Sequence, residues 1–166
     1  MVGRTRRRAL AVAGIGAVVA LALAGPALAD EGDDGGDGHR GDQAAPAMID
    51  GTPCTATARA CVDLAHNQAW LVHDGKVTRG PVAMSHGGQG KETPVGTFKV
   101  EWKDQNHKSA EFNNAPMPWS VFFAPGGIAF HQGNPKNPSA GCVHLTPADA
   151  QAWFNDLQVG DEVQVH

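Results

Sequence analysis

From Cys61 onward the chain never keeps one hydrophobic period for long. Apolar residues come in short runs, most of them alternating with polar ones, and Gly, Pro, Asp or Asn interrupts each run within a few residues. Alternation of period two marks a strand with one buried face, and such frequent turn residues leave little length for helices. Cys61-Val62-Asp63-Leu64 and Ala69-Trp70-Leu71-Val72 read as the first two strands. Asp74-Gly75 then supplies a hairpin turn, because both central positions of a type I′ turn need positive φ. Residues 76–84 continue as a strand, and Pro81 within it predicts an edge position or a bulge, since proline has no N–H for a ladder. Residues 97–102 alternate as a single strand; residues 120–123 and 127–130 follow as shorter apolar runs. One helix interrupts the pattern. Thr146 caps it, Pro147 suits the first helical position and Asp149 completes a capping box. Ala148, Trp153, Phe154 and Leu157 give it an apolar stripe, and Gly160 is the expected terminator. With a closing strand at residues 162–165, the expectation is a mainly β, sandwich-like domain carrying one helix near its C-terminus.

Two segments of different composition stand ahead of that domain. Residues 1–29 hold a basic start (Arg4, Arg6, Arg7, Arg8), an uncharged apolar run, and Ala27-Leu28-Ala29 as a small-x-small cleavage site, which together predict a signal peptide and export. A membrane anchor is the alternative, but Gly25-Pro26 breaks the apolar run and leaves only a marginal span. Residues 30–53 are rich in Gly and Asp and poor in apolar side chains, so they read as a disordered linker with too little to bury. Its acidic run lacks the closing Glu of a calcium loop. Removing residues 1–29 deletes four arginines and no acid, moving the formal charge from −4 to −8, and most of that excess sits in the linker. The remaining domain, 54–166, is nearly neutral and has no basic stripe, which argues against nucleic acid as a partner. Export also places the cysteines in an oxidising compartment, so Cys54 and Cys61 are expected to form a disulfide closing a short loop. A redox-active pair would call for Cys-x-x-Cys spacing.

Cys142 is then the odd thiol, without a nearby partner. An unpaired cysteine in an exported chain is an intermolecular link, a small core residue or a reactive thiol. Reaction requires a base, because the thiolate is the nucleophile. His131 ends the apolar run before it, and the Gly/Asn/Pro-rich loop of residues 132–138 has the composition to fold the chain back onto that strand end. Ser139-Ala140-Gly141 place small residues ahead of the sulfur, where the N–H groups of Gly141 and Cys142 are candidate oxyanion donors. His144 alternates with Cys142 across Val143, so both point the same way on a strand. A zinc site built from His131, Cys142 and His144 is the rival reading, but neither His-Glu-x-x-His nor Cys-x-x-Cys spacing is present. No metal and no cofactor is therefore expected.

The sequence His131 … Ser139-Ala140-Gly141-Cys142-Val143-His144 resembles the L,D-transpeptidases with a YkuD-type catalytic domain, whose signature is a strand-end His followed by Ser/Thr-x-Gly-Cys. Ala140 stands where many members carry His, and His144 where they carry Arg or Asn. The resemblance extends over residues 61–165. Met84-Ser85-His86-Gly87, Thr93-Pro94-Val95-Gly96-Thr97-Phe98 and Met117-Pro118-Trp119-Ser120-Val121-Phe122-Phe123 are similar to family segments in the same order. It implies a mixed β-sandwich and an exported enzyme acting on peptidoglycan. Cys142 would attack a stem tetrapeptide, release D-Ala as a thioester forms, and pass the acyl group to a second stem as a 3→3 cross-link. Water as acceptor would make it a carboxypeptidase, and loss of catalysis would leave a wall-binding module. His131 is implied as general base and acid, with the Gln132 carbonyl orienting it. Ser139, His144, Trp119 and His86 are the candidates for substrate contact; the alternatives are loop geometry for Ser139, packing for His144 and Trp119, and a solvated loop for His86. Carbapenems are the expected covalent inhibitors.

Overall fold

The computed structural model describes residues 45–166. The expected signal peptide (residues 1–29) and the part of the expected linker up to residue 44 lie outside the described residues. The elements run β1 (Ala60–Asp63), β2 (Gln68–His73), β3 (Lys76–Ala83), β4 (Gly96–Lys99), β5 (Trp102–Ser109), β6 (Ala115–Ala124), β7 (Ile128–Gln132), β8 (Val143–Leu145), α1 (Pro147–Asp156) and β9 (Glu162–Val165). They build two mixed sheets, one in the order β3-β2-β1-β9-β4 and the other β5-β6-β7-β8. The β1–β9 and β7–β8 pairs are parallel and the rest antiparallel.

Alternation sorts the side chains into layers, as strands require. Ala60 and Val62 of β1, Leu71 of β2, Val163 and Val165 of β9, Val121 and Phe123 of β6, Phe130 of β7 and Val143 and Leu145 of β8 all face one core. Trp153, Ala150 and Leu157 of α1 join it. The intervening residues of the first sheet, Cys61, Trp70 and Val72, face outward and would be left as an apolar patch. Residues 48–58, ahead of β1, cover them. Met48 bridges Thr55, Ile49 is buried against that face, and Cys54 is disulfide-bonded to Cys61 with a Cα–Cα distance of 5.9 Å. Residues 47–53 are thus part of the folded body, which corrects the expectation of linker up to residue 53. Ile49, the disulfide and the backbone hydrogen bonds from Ile49 to Cys54 and from Ala56 to Ala47 hold a segment whose composition alone pointed to disorder.

The hairpin at Asp74-Gly75 forms as expected, with φ of 48° and 69°, and β3 is an edge strand whose pairing with β2 shifts register. Two expectations fail. Residues 97–102 are not one strand: β4 ends at Lys99, the buried Val100 hydrogen-bonds both ways with the turn at residues 160–161, and β5 starts at Trp102 in the other sheet. Period two runs straight through this crossover and carries no sign of it. The helix also stops earlier than Gly160. Leu157 caps it in an extended conformation, and Gly160 serves the next turn at φ 95°. Its start matches expectation, with Thr146 Oγ1 accepting the Asp149 N–H at 3.2 Å and Pro147 in the first turn.

Candidate active site

Strand β7 sends Phe130 to the core and leaves Ala129 and His131 on the opposite face. Strand β8 lies parallel to it, Phe130 facing Val143 and His131 facing His144. Because Val143 also points to the core, Cys142 and His144 share the outer face with His131. All three line one groove of about 640 Å³, walled further by Trp102, Phe112 and Met117.

His131 is only 7% exposed. Its Nδ1 lies 2.8 Å from the Gln132 carbonyl oxygen. A carbonyl only accepts, so Nδ1 carries the proton and Nε2 is left with its lone pair. Burial, and then the neighbouring His144, lower the His131 pKa to about 4, although the Gln132 carbonyl works in the other direction. The ring is therefore neutral near pH 7. The His144 ring meets it edge to face, with centroids 4.8 Å apart and planes at 77°. Gly133 is what admits that ring. A Cβ at Gly133 would stand 2.5 Å from His144 Cγ. His144 thus borders the groove and packs at the same time, and its buried Nδ1 has no hydrogen-bond partner among the described residues. Burial also lowers its pKa.

Cys142 is half-buried on Met117, Phe122 and Ala129. Burial pushes its thiol up from the ordinary range, so the resting sulfur is protonated at neutral pH. The S–H points to the Gly127 carbonyl at 3.7 Å rather than to His131. The turn ahead of it is held by side chains. Ser139 Oγ accepts the Gly141 N–H at 3.0 Å and donates to the Cys142 carbonyl at 2.5 Å. Thr93 Oγ1 accepts the Gly87 N–H at 2.9 Å and donates to the Gly141 carbonyl at 2.7 Å. Gly141 sits at φ 122°, where a Cβ would also stand 2.5 Å from Ile128 Cδ1.

Several expected roles change. The Gly141 N–H, expected as an oxyanion donor, is occupied by Ser139 Oγ, whereas the Cys142 N–H has no protein acceptor among the described residues. Ser139 shapes the turn. Trp119 does not line the groove: it packs against Phe154 with ring centroids 5.5 Å apart and borders the main core. An isolated positive φ of 60° at Trp119 turns the side chain out of simple alternation. His86 lines a separate cavity of about 860 Å³, and its Nδ1 meets the Gly87 carbonyl at 3.0 Å. The trio His131, Cys142 and His144 does not converge as zinc ligands, because the two rings pack on each other and the thiol turns to the main chain. The groove aromatics that the sequence reading missed are Phe112 and Trp102, the latter stacked flat on Phe122 at 3.7 Å. Trp102 belonged to an alternating run, which marks a half-buried strand but not which cavity the exposed face borders. Thr93 lay in a quoted motif but had no role.

Residues 57–165 match the family model of the L,D-transpeptidase catalytic domain, YkuD. Among solved structures, an L,D-transpeptidase from Stackebrandtia nassauensis is 33% identical, with a TM-score of 0.60 over 64% of this chain and 54% of that one. An L,D-transpeptidase from Mycobacterium smegmatis is 23% identical, with a TM-score of 0.60 over 68% and 59%. L,D-transpeptidase 3 from Mycobacterium tuberculosis, solved with a faropenem-derived adduct, is 19% identical, with a TM-score of 0.56 over 64% and 59%. The last two likenesses establish the fold. The chain spans a little more than half the length of these relatives. No curated protein matches it.

Proposed function

The chain belongs to the family of L,D-transpeptidase catalytic domains of the YkuD type, and on that premise we propose that it is a cysteine-dependent acyltransferase forming 3→3 cross-links between peptidoglycan stem peptides. The observation that supports this most is the placement of His131 on β7 and of Cys142 just ahead of the parallel strand β8, both in one groove, with the proton of His131 on Nδ1 and the lone pair on Nε2. The groove has the volume of an ordinary ligand site.

In this reading substrate binding turns the Cys142 thiol from the Gly127 carbonyl toward His131. Sγ bonds to the carbonyl carbon between the third and fourth stem residues as its proton passes to Nε2. The oxyanion is met by the Cys142 N–H. Collapse breaks the C–N bond, the departing D-Ala amine takes the proton from His131, and a thioester remains. The side-chain amine of a second stem attacks that thioester, gives its proton to His131, and the sulfur leaves and recovers it. A neutral imidazole suits this cycle, since only the unprotonated ring can take the thiol proton. Carbapenems would acylate the same sulfur. The reading includes export under the signal of residues 1–29, with the catalytic body beginning near residue 47; the Cys54–Cys61 disulfide is in keeping with an oxidising compartment.

The test is incubation with purified disaccharide-tetrapeptide, followed by separation of the muropeptides. Cross-linked dimer and free D-Ala are expected from the wild type, and neither from Cys142→Ala. D-Ala without dimer would make the protein a carboxypeptidase. Dimer from Cys142→Ala would overturn the mechanism, and no product together with no imipenem adduct by intact mass would leave a wall-binding module.

A further inference from the structure

We propose that Thr93 is a positioning residue for acyl transfer: its hydroxyl sets the plane of the Gly141–Cys142 peptide and so holds the Cys142 N–H as the oxyanion donor. The inference rests on the acyltransferase reading above. Thr93 is 3% exposed and does not line the groove, so it has no direct access to a substrate. A hydroxyl has one proton. Oγ1 accepts the Gly87 N–H at 2.9 Å, which leaves that proton for the Gly141 carbonyl at 2.7 Å.

The peptide unit is planar and trans, so a carbonyl drawn toward Thr93 sends the following N–H the opposite way. That N–H belongs to Cys142. The constraint matters because Gly141 has φ 122°, a region where glycine moves freely and the adjoining peptide turns at little cost. Turned over, the same unit would present its carbonyl oxygen, not its N–H, to a developing negative charge. The neighbouring polar groups are already tied: the Gly141 N–H and the Cys142 carbonyl both bond Ser139 Oγ. The loop bearing Gly87 is itself stitched to this turn, with Ser139 N donating to the His86 carbonyl at 2.9 Å and Gly88 N to the Ser139 carbonyl at 3.1 Å. Thr93 is thus the clamp between that loop and the peptide that follows Gly141, beside the nucleophile.

Acylation by imipenem, followed by stopped flow and intact mass on the purified chain, separates the limiting rate from the apparent dissociation constant. Thr93→Val keeps the volume and removes the hydroxyl. Its limiting acylation rate is expected to fall roughly 10- to 100-fold, because a single oxyanion donor is misaligned. The apparent dissociation constant should stay within about threefold of wild type. Alkylation of Cys142 by iodoacetamide, a displacement that builds no oxyanion, should keep its wild-type rate. Thr93→Ser retains the hydroxyl and should restore acylation to within about threefold. Should Thr93→Val not fold, Thr93→Ala carries the same comparison. Acylation of the hydroxyl-free variant at the wild-type rate overturns the proposal, as does an equal loss in both reactions, which would mean a displaced thiol. A wild type that iodoacetamide alkylates but imipenem leaves untouched overturns the acyltransferase reading itself.

Discussion

His131 gives the fold a pH-dependent stability whose sign and size follow from its burial. In the unfolded chain the ring titrates near 6.5, whereas in the folded protein its pKa is lowered to about 4. Between those values the unfolded state binds the proton and the folded state does not, so stability rises with pH across that window. The stabilisation is complete above 6.5 and is lost as pH falls toward 4. Below that value both states are protonated and this group contributes no further change. At 1.36 kcal/mol per pKa unit the full effect is roughly 3 kcal/mol, and the part falling between pH 7 and pH 4.5 is about 2 kcal/mol. His144, also lowered by burial, acts in the same direction. Urea denaturation at half-unit steps from pH 8 to 4.5, on wild type and His131→Gln, measures it. Exposed carboxylates cancel between the two proteins, so the wild type should lose about 2 kcal/mol more than the variant over this range. Parallel stability curves would refute the reasoning: the ring would then titrate as a solvated histidine, and the neutral base drawn above would not be held by burial.

Two further outcomes follow from contacts at and behind the groove. Gly133→Ala should cost about 1–3 kcal/mol by driving a methyl into the His144 ring, and much less in a His144→Ala background, so a double-mutant cycle in urea should show coupling above about 0.5 kcal/mol. Trp119→Ala should lower stability by about 2 kcal/mol through lost packing on Phe154, with the imipenem acylation rate unchanged; a slowed rate at full stability would return Trp119 to the groove.

Alternation of apolar residues, the Asp74-Gly75 turn and the Thr146-Pro147 cap were legible because each depends on neighbours in the chain. So was the oddness of Cys142, once Cys54 and Cys61 were paired. The switch of sheets at Val100 and the ordering of residues 47–53 were not, since both answer to apolar faces made by distant strands. The same limit governed the groove. Trp119 and Trp102 look alike as strand tryptophans, and only the backbone at Trp119 and the pairing of Trp102 with Phe122 across β5 and β6 place one against the edge of the core and the other at the groove. Local order along the chain therefore determined most strands, the turns, the helix start and the one cysteine left outside the disulfide. Tertiary structure alone decided which N–H beside the sulfur stays free and how far the His131 proton is weakened, because peptide orientation and desolvation are set by groups remote in sequence, Thr93 and the strand carrying His144 among them.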